Sequence, residues 1–171
     1  MRVAVLFLAL SIPAFAAEHT LQLTPENTKI EWTLGDVLHT VHGTFKLKRG
    51  SITFDPDTNK ASGEVVVDVA SGDSGSGLRD KRMHSNILES SKYPDAVFTP
   101  DHIDSKLSAL HGTLRIHGAS HEITMKVQAA TGDITFEIPY VAWGMKDPST
   151  FILKVEKTVA VAIHTTVRVS P

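Results

Sequence analysis

The chain has no cysteine among its 171 residues. That absence removes disulfide-stapled scaffolds, thiolate metal sites and thiol nucleophiles together. Neither charge is in excess: 17 Lys and Arg face 19 Asp and Glu, a formal net of −2. No overall basic field is therefore available to grip a nucleic acid. No apolar run is long enough to cross a bilayer as a helix, which takes about 20 residues. No repeat with a period of about 20–50 residues recurs, and no low-complexity linker divides the chain. What is left is one domain, long enough to bury a core without covalent staples.

The N-terminus stands apart from that domain. Arg2 supplies a positive start, Val3–Ile12 is apolar, Pro13 breaks the run, and Ala14-Phe15-Ala16 fits a small-x-small cleavage site. This pattern predicts a secretory signal over 1–17, removed to leave a domain of 18–171, in preference to a buried N-terminal strand. With no cysteine after the cleavage point, no lipoprotein anchor is expected. The expected location is the periplasm in a Gram-negative source, or outside the cell otherwise.

Most of the remaining sequence alternates apolar and polar residues, the period of a half-buried strand. Strands are predicted at Ile30–Thr33, Leu38–Leu47, Ser51–Phe54, Gly63–Ala70, Ala96–Ile103, Leu110–His117 and Glu122–Ala129. Further strands are predicted around Ile134–Ile138, over Phe151–Val155 and over Val159–Val169. Arg49-Gly50, Asp55-Pro56-Asp57, Gly118-Ala119-Ser120 and Thr131-Gly132 read as turns. About eight strands of useful length, each with one apolar and one polar face, suit an antiparallel barrel or sandwich. Polar outer faces argue against a membrane barrel, whose outside must be apolar.

Ser74–Phe98 breaks the alternation. A Gly/Ser loop, Ser71–Gly77, is followed by charges at Arg79, Asp80, Lys81 and Arg82. Met83 and Ile87 are four apart and share a helix face, and Pro94 requires the helix to end before Tyr93. One short inserted helix is predicted over about 78–89.

Motifs that carry chemistry are few. Gly72-Asp73-Ser74-Gly75 matches a serine-protease nucleophile sequence, but no paired histidine motif accompanies it. Gly72-x-x-Gly75-x-Gly77 has the wrong spacing for a nucleotide loop. His39 and His42 fall on opposite faces of a strand. His117 and His121 flank a turn and supply only half of a typical zinc site. No catalytic residue and no metal site are assigned. Arg79 and Asp80 at the helix start suit a salt bridge, and Asp80 suits the helix dipole. Trp32 and Trp143 read first as core.

An eight-strand barrel is either filled by side chains or holds one small ligand. The residues expected inward are His39, Val41, Phe45, Phe54, Val67 and Met83, followed by Phe98, Ile116, Met125, Phe136, Trp143 and Phe151. Three sets of motifs then carry a resemblance. The first is Val41-His42-Gly43-Thr44-Phe45 with Gly50 and Ile52. The second is Arg79-Asp80-x-x-Met83-His84, Leu88-Glu89, Lys92-Tyr93-Pro94 and Phe98. The third is Gly112-x-Leu114-x-Ile116-His117-Gly118. In this order they resemble the YceI-like proteins over nearly all of the mature chain. The resemblance implies a lipocalin-like antiparallel barrel that binds or carries an isoprenoid or similar amphiphile without catalysis. The expected ligand is polyprenyl or quinone-like, with Arg79 or Arg82 at its head group and no other cofactor. Expected partners are thus a long-chain lipid and no nucleic acid; the oligomeric state is not given by the sequence, a homodimer being one candidate. Two other readings stand beside it: a histidine-based metal-binding or stress-related protein, and a filled barrel serving as an interaction domain.

Overall fold

The structure is a computed structural model that describes residues 18–36, 38–151 and 154–167. The expected signal segment and the last residues of the expected final strand lie outside the described residues. Among the described residues nine strands form one antiparallel sheet. They are β1 (His19–Leu23), β2 (Thr28–Gly35), β3 (Thr40–Phe54), β4 (Ala61–Asp73), β5 (Asp95–Ile103), β6 (Ala109–Ile116), β7 (Ala119–Gln128), β8 (Asp133–Ile138) and β9 (Val159–Thr165). From β4 to β9 each strand pairs with the next. Then β9 pairs with β2, β2 with β3, and β3 with β4, which closes an eight-strand barrel. β1 lies outside that ring count. It takes the edge of β3 beyond β2, pairing Leu23 with Gly50 and His19 with Phe54.

β3 corrects one expectation. Arg49-Gly50 is not a turn, because the strand runs on for 15 residues through Phe54. A register shift between Leu47 and Arg49 absorbs one extra residue there. Such a bulge bends a strand and raises its twist without reversing it. Gly50 has close neighbours: a Cβ added there would meet Leu23 Cβ at 3.0 Å.

The insert also differs from the simple helix expected. An α-helix, α1 (Gly77–Arg82), passes directly into a π turn at Met83–Ile87. The wide turn is marked by Leu88 N–H donating to Met83 O at 2.8 Å. The expected strand at Phe151–Val155 is absent among the described residues of that span. Only a single bridge, Asp36 to Val155, forms there, and Phe151 is 98% exposed. Alternation over so few residues, with Pro148 and Ser149 just before, is a weak strand signal. The irregular stretch after β8 contains a short 3-10 turn at Tyr140–Trp143.

The core fills the ring. Leu23, Ile30, Leu47, Ile52, Phe54, Val65, Phe98, Leu110, Leu114 and Met125 are buried in one cluster. The alternating inward positions of each strand supply it, as the period of two requires.

Candidate functional site: the barrel interior and its helix-side end

An antiparallel barrel places alternate connections at the same end. The β2–β3 loop, the helical insert, the β6–β7 turn and the β8–β9 connection share one end, here called the helix side. Toward the other end lies a cavity of about 60 Å³. Its walls are Leu23, Ile30, Leu47, Ile52, Val65, Val67, Ala96, Phe98, Leu110, Leu114, Met125, Ile134, Phe136 and Ile163, with Thr28 and Thr165. No charged group reaches it. Ordinary small-molecule sites are about 300–1,000 Å³, so a long chain would need the interior to open further.

What fills the helix side is aromatic. Trp32, 6% exposed, faces inward on β2 opposite Gly43 of β3. A Cβ on Gly43 would sit 2.3 Å from Trp32 Cζ2 and 2.4 Å from the Asp73 carbonyl oxygen. The indole therefore occupies space that only glycine leaves. Phe45 packs beside Trp32, with ring centroids 6.4 Å apart. Phe45 in turn lies over Gly72, where a Cβ would meet Phe45 Cε1 at 2.6 Å and Met83 Cε at 2.9 Å. Two glycines thus make the floor on which the aromatic pair rests.

Two polar atoms here are buried without a hydrogen-bond partner: Trp32 Nε1 and His84 Nδ1. His84 Nε2 is 2.8 Å from the Gly72 carbonyl. A carbonyl only accepts, so Nε2 carries a proton; in a neutral ring Nδ1 is then an acceptor. Trp32 Nε1 is a donor only. Both flank the Gly72–Asp73 segment, Trp32 through Gly43 and His84 through the Gly72 carbonyl. Buried polar groups normally find partners, and each exception calls for an explanation. Trp32 Nε1 is thus open to an acceptor, and His84 Nδ1 of a neutral ring to a donor.

The insert is pinned at both ends. Asp80 accepts from the Ser74 backbone N–H at 2.9 Å and from the Ser74 hydroxyl at 2.6 Å. That hydroxyl, first among several contacts, holds the Asp80 carboxyl below the usual carboxylate range. At the far end His117 Nε2 meets Glu89 at 2.7 Å, and Tyr93 packs on the His117 ring at 4.4 Å. Both Glu89 and His117 have left-handed backbones, φ 44° and 52°, conformations costly for such residues. Nearby, Tyr140 donates to the Glu156 carbonyl at 3.0 Å. Burial, then the Asp147 charge, raises its phenol above the ordinary tyrosine range.

The structure gathers most of the residues expected inward. Val67, Phe98, Met125 and Phe136 border the cavity. Phe54, Ile116 and Trp143 are buried in the core cluster around it. Val41, Phe45 and Met83 are half-buried toward the helix side. Two placements need correction. Phe151 is on an exposed connection, as described. His39 precedes β3 and its side chain is 76% exposed, 3.9 Å from Asp36; strand parity does not apply before the strand begins. Nor does the structure bring Arg79 or Arg82 inward. α1 buries no residue, and Arg79 donates outside the barrel to the Ser74 carbonyl at 3.2 Å.

The histidine pair His117 and His121 is divided between partners. His121 Nε2 donates to the Ala142 carbonyl at 3.1 Å and its ring meets the edge of Trp143. Among the described residues no group of three His, Asp or Glu is arranged to hold a metal ion. His84 was missed by sequence reasoning. It sits within the Arg79–His84 motif, but nothing in the spacing shows that it reaches back to Gly72.

Three comparisons with known proteins bear on this barrel. The family model described as the YceI-like domain matches residues 21–167. No curated protein sequence matches the chain. Among solved structures, Burkholderia cenocepacia BcnA is similar at a TM-score of 0.63 and 20% identity, over 80% of this chain and 94% of that one. A polyisoprenoid binding domain from Saccharophagus degradans, implicated in plant cell wall breakdown, is similar at 0.59 and 16%, over 85% and 98%. A mutant CJ YCEI protein with a monobromobimane guest is similar at 0.56 and 16%, over 100% and 94%. At these identities the likeness to solved structures is one of fold. The closed barrel, its inserted helix and the family match over residues 21–167 together place the chain in the YceI-like domain family.

Proposed function

We propose that this protein binds, and carries without chemical change, an isoprenoid or similar long-chain amphiphile inside the barrel. The observation that carries the reading is the cavity: a space inside a closed barrel, walled by apolar side chains apart from Thr28 and Thr165. An apolar tail gains roughly 0.8 kcal/mol for each CH₂ it buries. The Saccharophagus degradans relative is named as a polyisoprenoid binding domain, which supports the same ligand class here. Loading requires a larger space than 60 Å³. In this reading Trp32 and Phe45 swing off Gly43 and Gly72 and join the cavity to the helix-side end. Phe45, Val67, Phe98, Met125 and Phe136 then touch the tail. A head-group oxygen accepts from Trp32 Nε1 and a hydroxyl donates to His84 Nδ1. Arg79 and Arg82 remain outside, so the head group at this depth is uncharged: an alcohol or a quinol rather than a diphosphate. The signal pattern at 1–17 supports export, to the periplasm in a Gram-negative cell.

The small cavity favours a second reading, in which the barrel is simply filled and acts as an interaction domain. Native mass spectrometry of the mature protein from its own host, followed by solvent extraction, separates the two. One polyprenyl lipid per chain is expected. An empty protein that also fails to take up added polyprenol or polyprenyl quinone would leave only the filled barrel.

A further inference from the structure

We infer that the helix-side end of the barrel is a docking surface for an anionic lipid bilayer. Four large apolar side chains stand out as exposed: Leu38, Leu78, Val141 and Phe151. They come from three separate connections, β2–β3, β4–β5 and β8–β9, and all three lie at the helix side. Glu156 N–H donates to the Gly35 carbonyl at 2.9 Å, which holds the β8–β9 connection beside the β2–β3 loop. The opposite end carries none of the four. Isolated exposed apolar residues mean little, but their gathering on one end marks an interaction surface.

Charge divides the two ends the same way and names the occupant. The helix-side connections hold seven Lys and Arg against five Asp and Glu. The connections at the opposite end hold two Lys against four Asp and Glu. A protein of slight net negative charge thus presents a net of +2 at one end and −2 at the other. The helix-side acids are largely occupied. Asp36 accepts from the Leu38 and His39 N–H groups, Asp80 from Ser74, and Glu89 pairs with His117. Asp147 pairs with Lys157. Lys81, Arg82, Lys146 and Lys154 have no carboxylate partner among the described residues. Free basic charge beside protruding Leu and Phe is the pattern that binds a negatively charged membrane interface: cations meet the lipid phosphates while the apolar tips enter the acyl boundary. Among the described residues no helix is long and apolar enough to cross a membrane, so this contact is peripheral and reversible.

The test is co-sedimentation of the mature protein with vesicles, one set of pure phosphatidylcholine and one with phosphatidylglycerol added. Binding is expected only to the anionic set and is lost in 1 M salt, roughly a 3 Å screening length. Lys146→Glu with Lys154→Glu is expected to weaken binding by about fivefold per residue or more. Phe151→Asp with Leu38→Asp weakens it independently, while Phe151→Leu retains it. All are exposed positions, so the thermal melt should not move. Equal binding to both vesicle sets, or no binding to either, would overturn the proposal. So would variants that bind as wild type, or apolar variants whose only effect is to abolish a dimer in vesicle-free solution. None of these outcomes depends on whether the barrel holds a lipid.

Discussion

Away from the insert, the barrel interior is apolar, with Phe98 and Phe136 standing among residues such as Leu23, Ile52 and Ile163, and it leaves about 60 Å³ empty; beside the insert, Trp32, Phe45 and Trp143 fill it and bring polar atoms inside. The two halves are held by different means. The first relies on apolar burial, which is non-directional and tolerates a small void. The second relies on shape, with rings lying on glycine floors, and on hydrogen bonds that are only partly made. The difference shows where a ligand would have to act. Apolar walls select little among tails, whereas the aromatic pair rests on glycines and Trp32 Nε1 is left without a partner, so selectivity belongs to the helix side.

The comparison can be broken first in the half away from the insert. Phe98, 5% exposed, lies against both the cavity and Gly112. Phe98→Ala is expected to cost about 3–5 kcal/mol in urea unfolding, because the void already present leaves little to collapse onto. A loss under about 1 kcal/mol would mean that this half is not well packed. Next comes the glycine floor. Gly43→Ala places a methyl against Trp32 and the Asp73 carbonyl, a backbone atom that cannot turn aside. A cost of about 1–3 kcal/mol is expected, with a red-shifted Trp32 fluorescence in a Trp143→Phe background. An unshifted spectrum would show that the ring does not depend on the glycine.

The two tryptophans sharpen the contrast further. Trp143 Nε1 donates to the Leu114 carbonyl at 3.2 Å, while Trp32 Nε1 has no partner. Both are buried. Trp143→Phe therefore loses a hydrogen bond that Trp32→Phe does not, and should be more destabilising by about 1 kcal/mol. Equal costs in parallel denaturation curves would mean that Trp32 is satisfied after all. The smallest effect is expected from pH. Asp80 has its folded-state pKa held down by Ser74. Its contribution is complete above the ordinary aspartate range near 3.8 and is lost as pH falls through the lower folded value. Amide exchange in residues 74–82 should therefore quicken below about pH 4 while the β6–β7 hairpin is unchanged. Asp80→Asn should remove that pH dependence; an unchanged profile would assign it to another group.

How far the sequence revealed this molecule follows from the physics of each part. β7 and β8 were legible because their inward residues, Ile123, Met125, Val127, Ile134 and Phe136, keep strict period two. The insert was legible as a break in that period, but its π turn was not, because a wider turn leaves Met83 and Ile87 on much the same face. Arg49-Gly50 misled because glycine serves bulges as well as turns, and only the pairing partner decides between them. Phe151 misled because parity needs a strand, and a run of apolar residues outside the sheet has no inside. His84 and Trp32 were illegible as a pair. They are 52 residues apart in sequence, and each reaches the Gly72–Asp73 segment only through tertiary packing: Trp32 by way of Gly43, which abuts the Asp73 carbonyl, and His84 at the Gly72 carbonyl.

The pairing of β2 with β9 joins Thr28 to Thr165 and Thr33 to Ala160. In time rather than space, this means that the barrel cannot close until nearly the whole chain is available, since the two sides of the seam are the second strand and the last. Long-range pairing of this kind is slow to form. Until β9 arrives, β2 and β8 present bare edges that invite pairing with other chains. A chain ended at residue 158 would keep every other strand pair and both of those edges. Its most visible property would be association with itself.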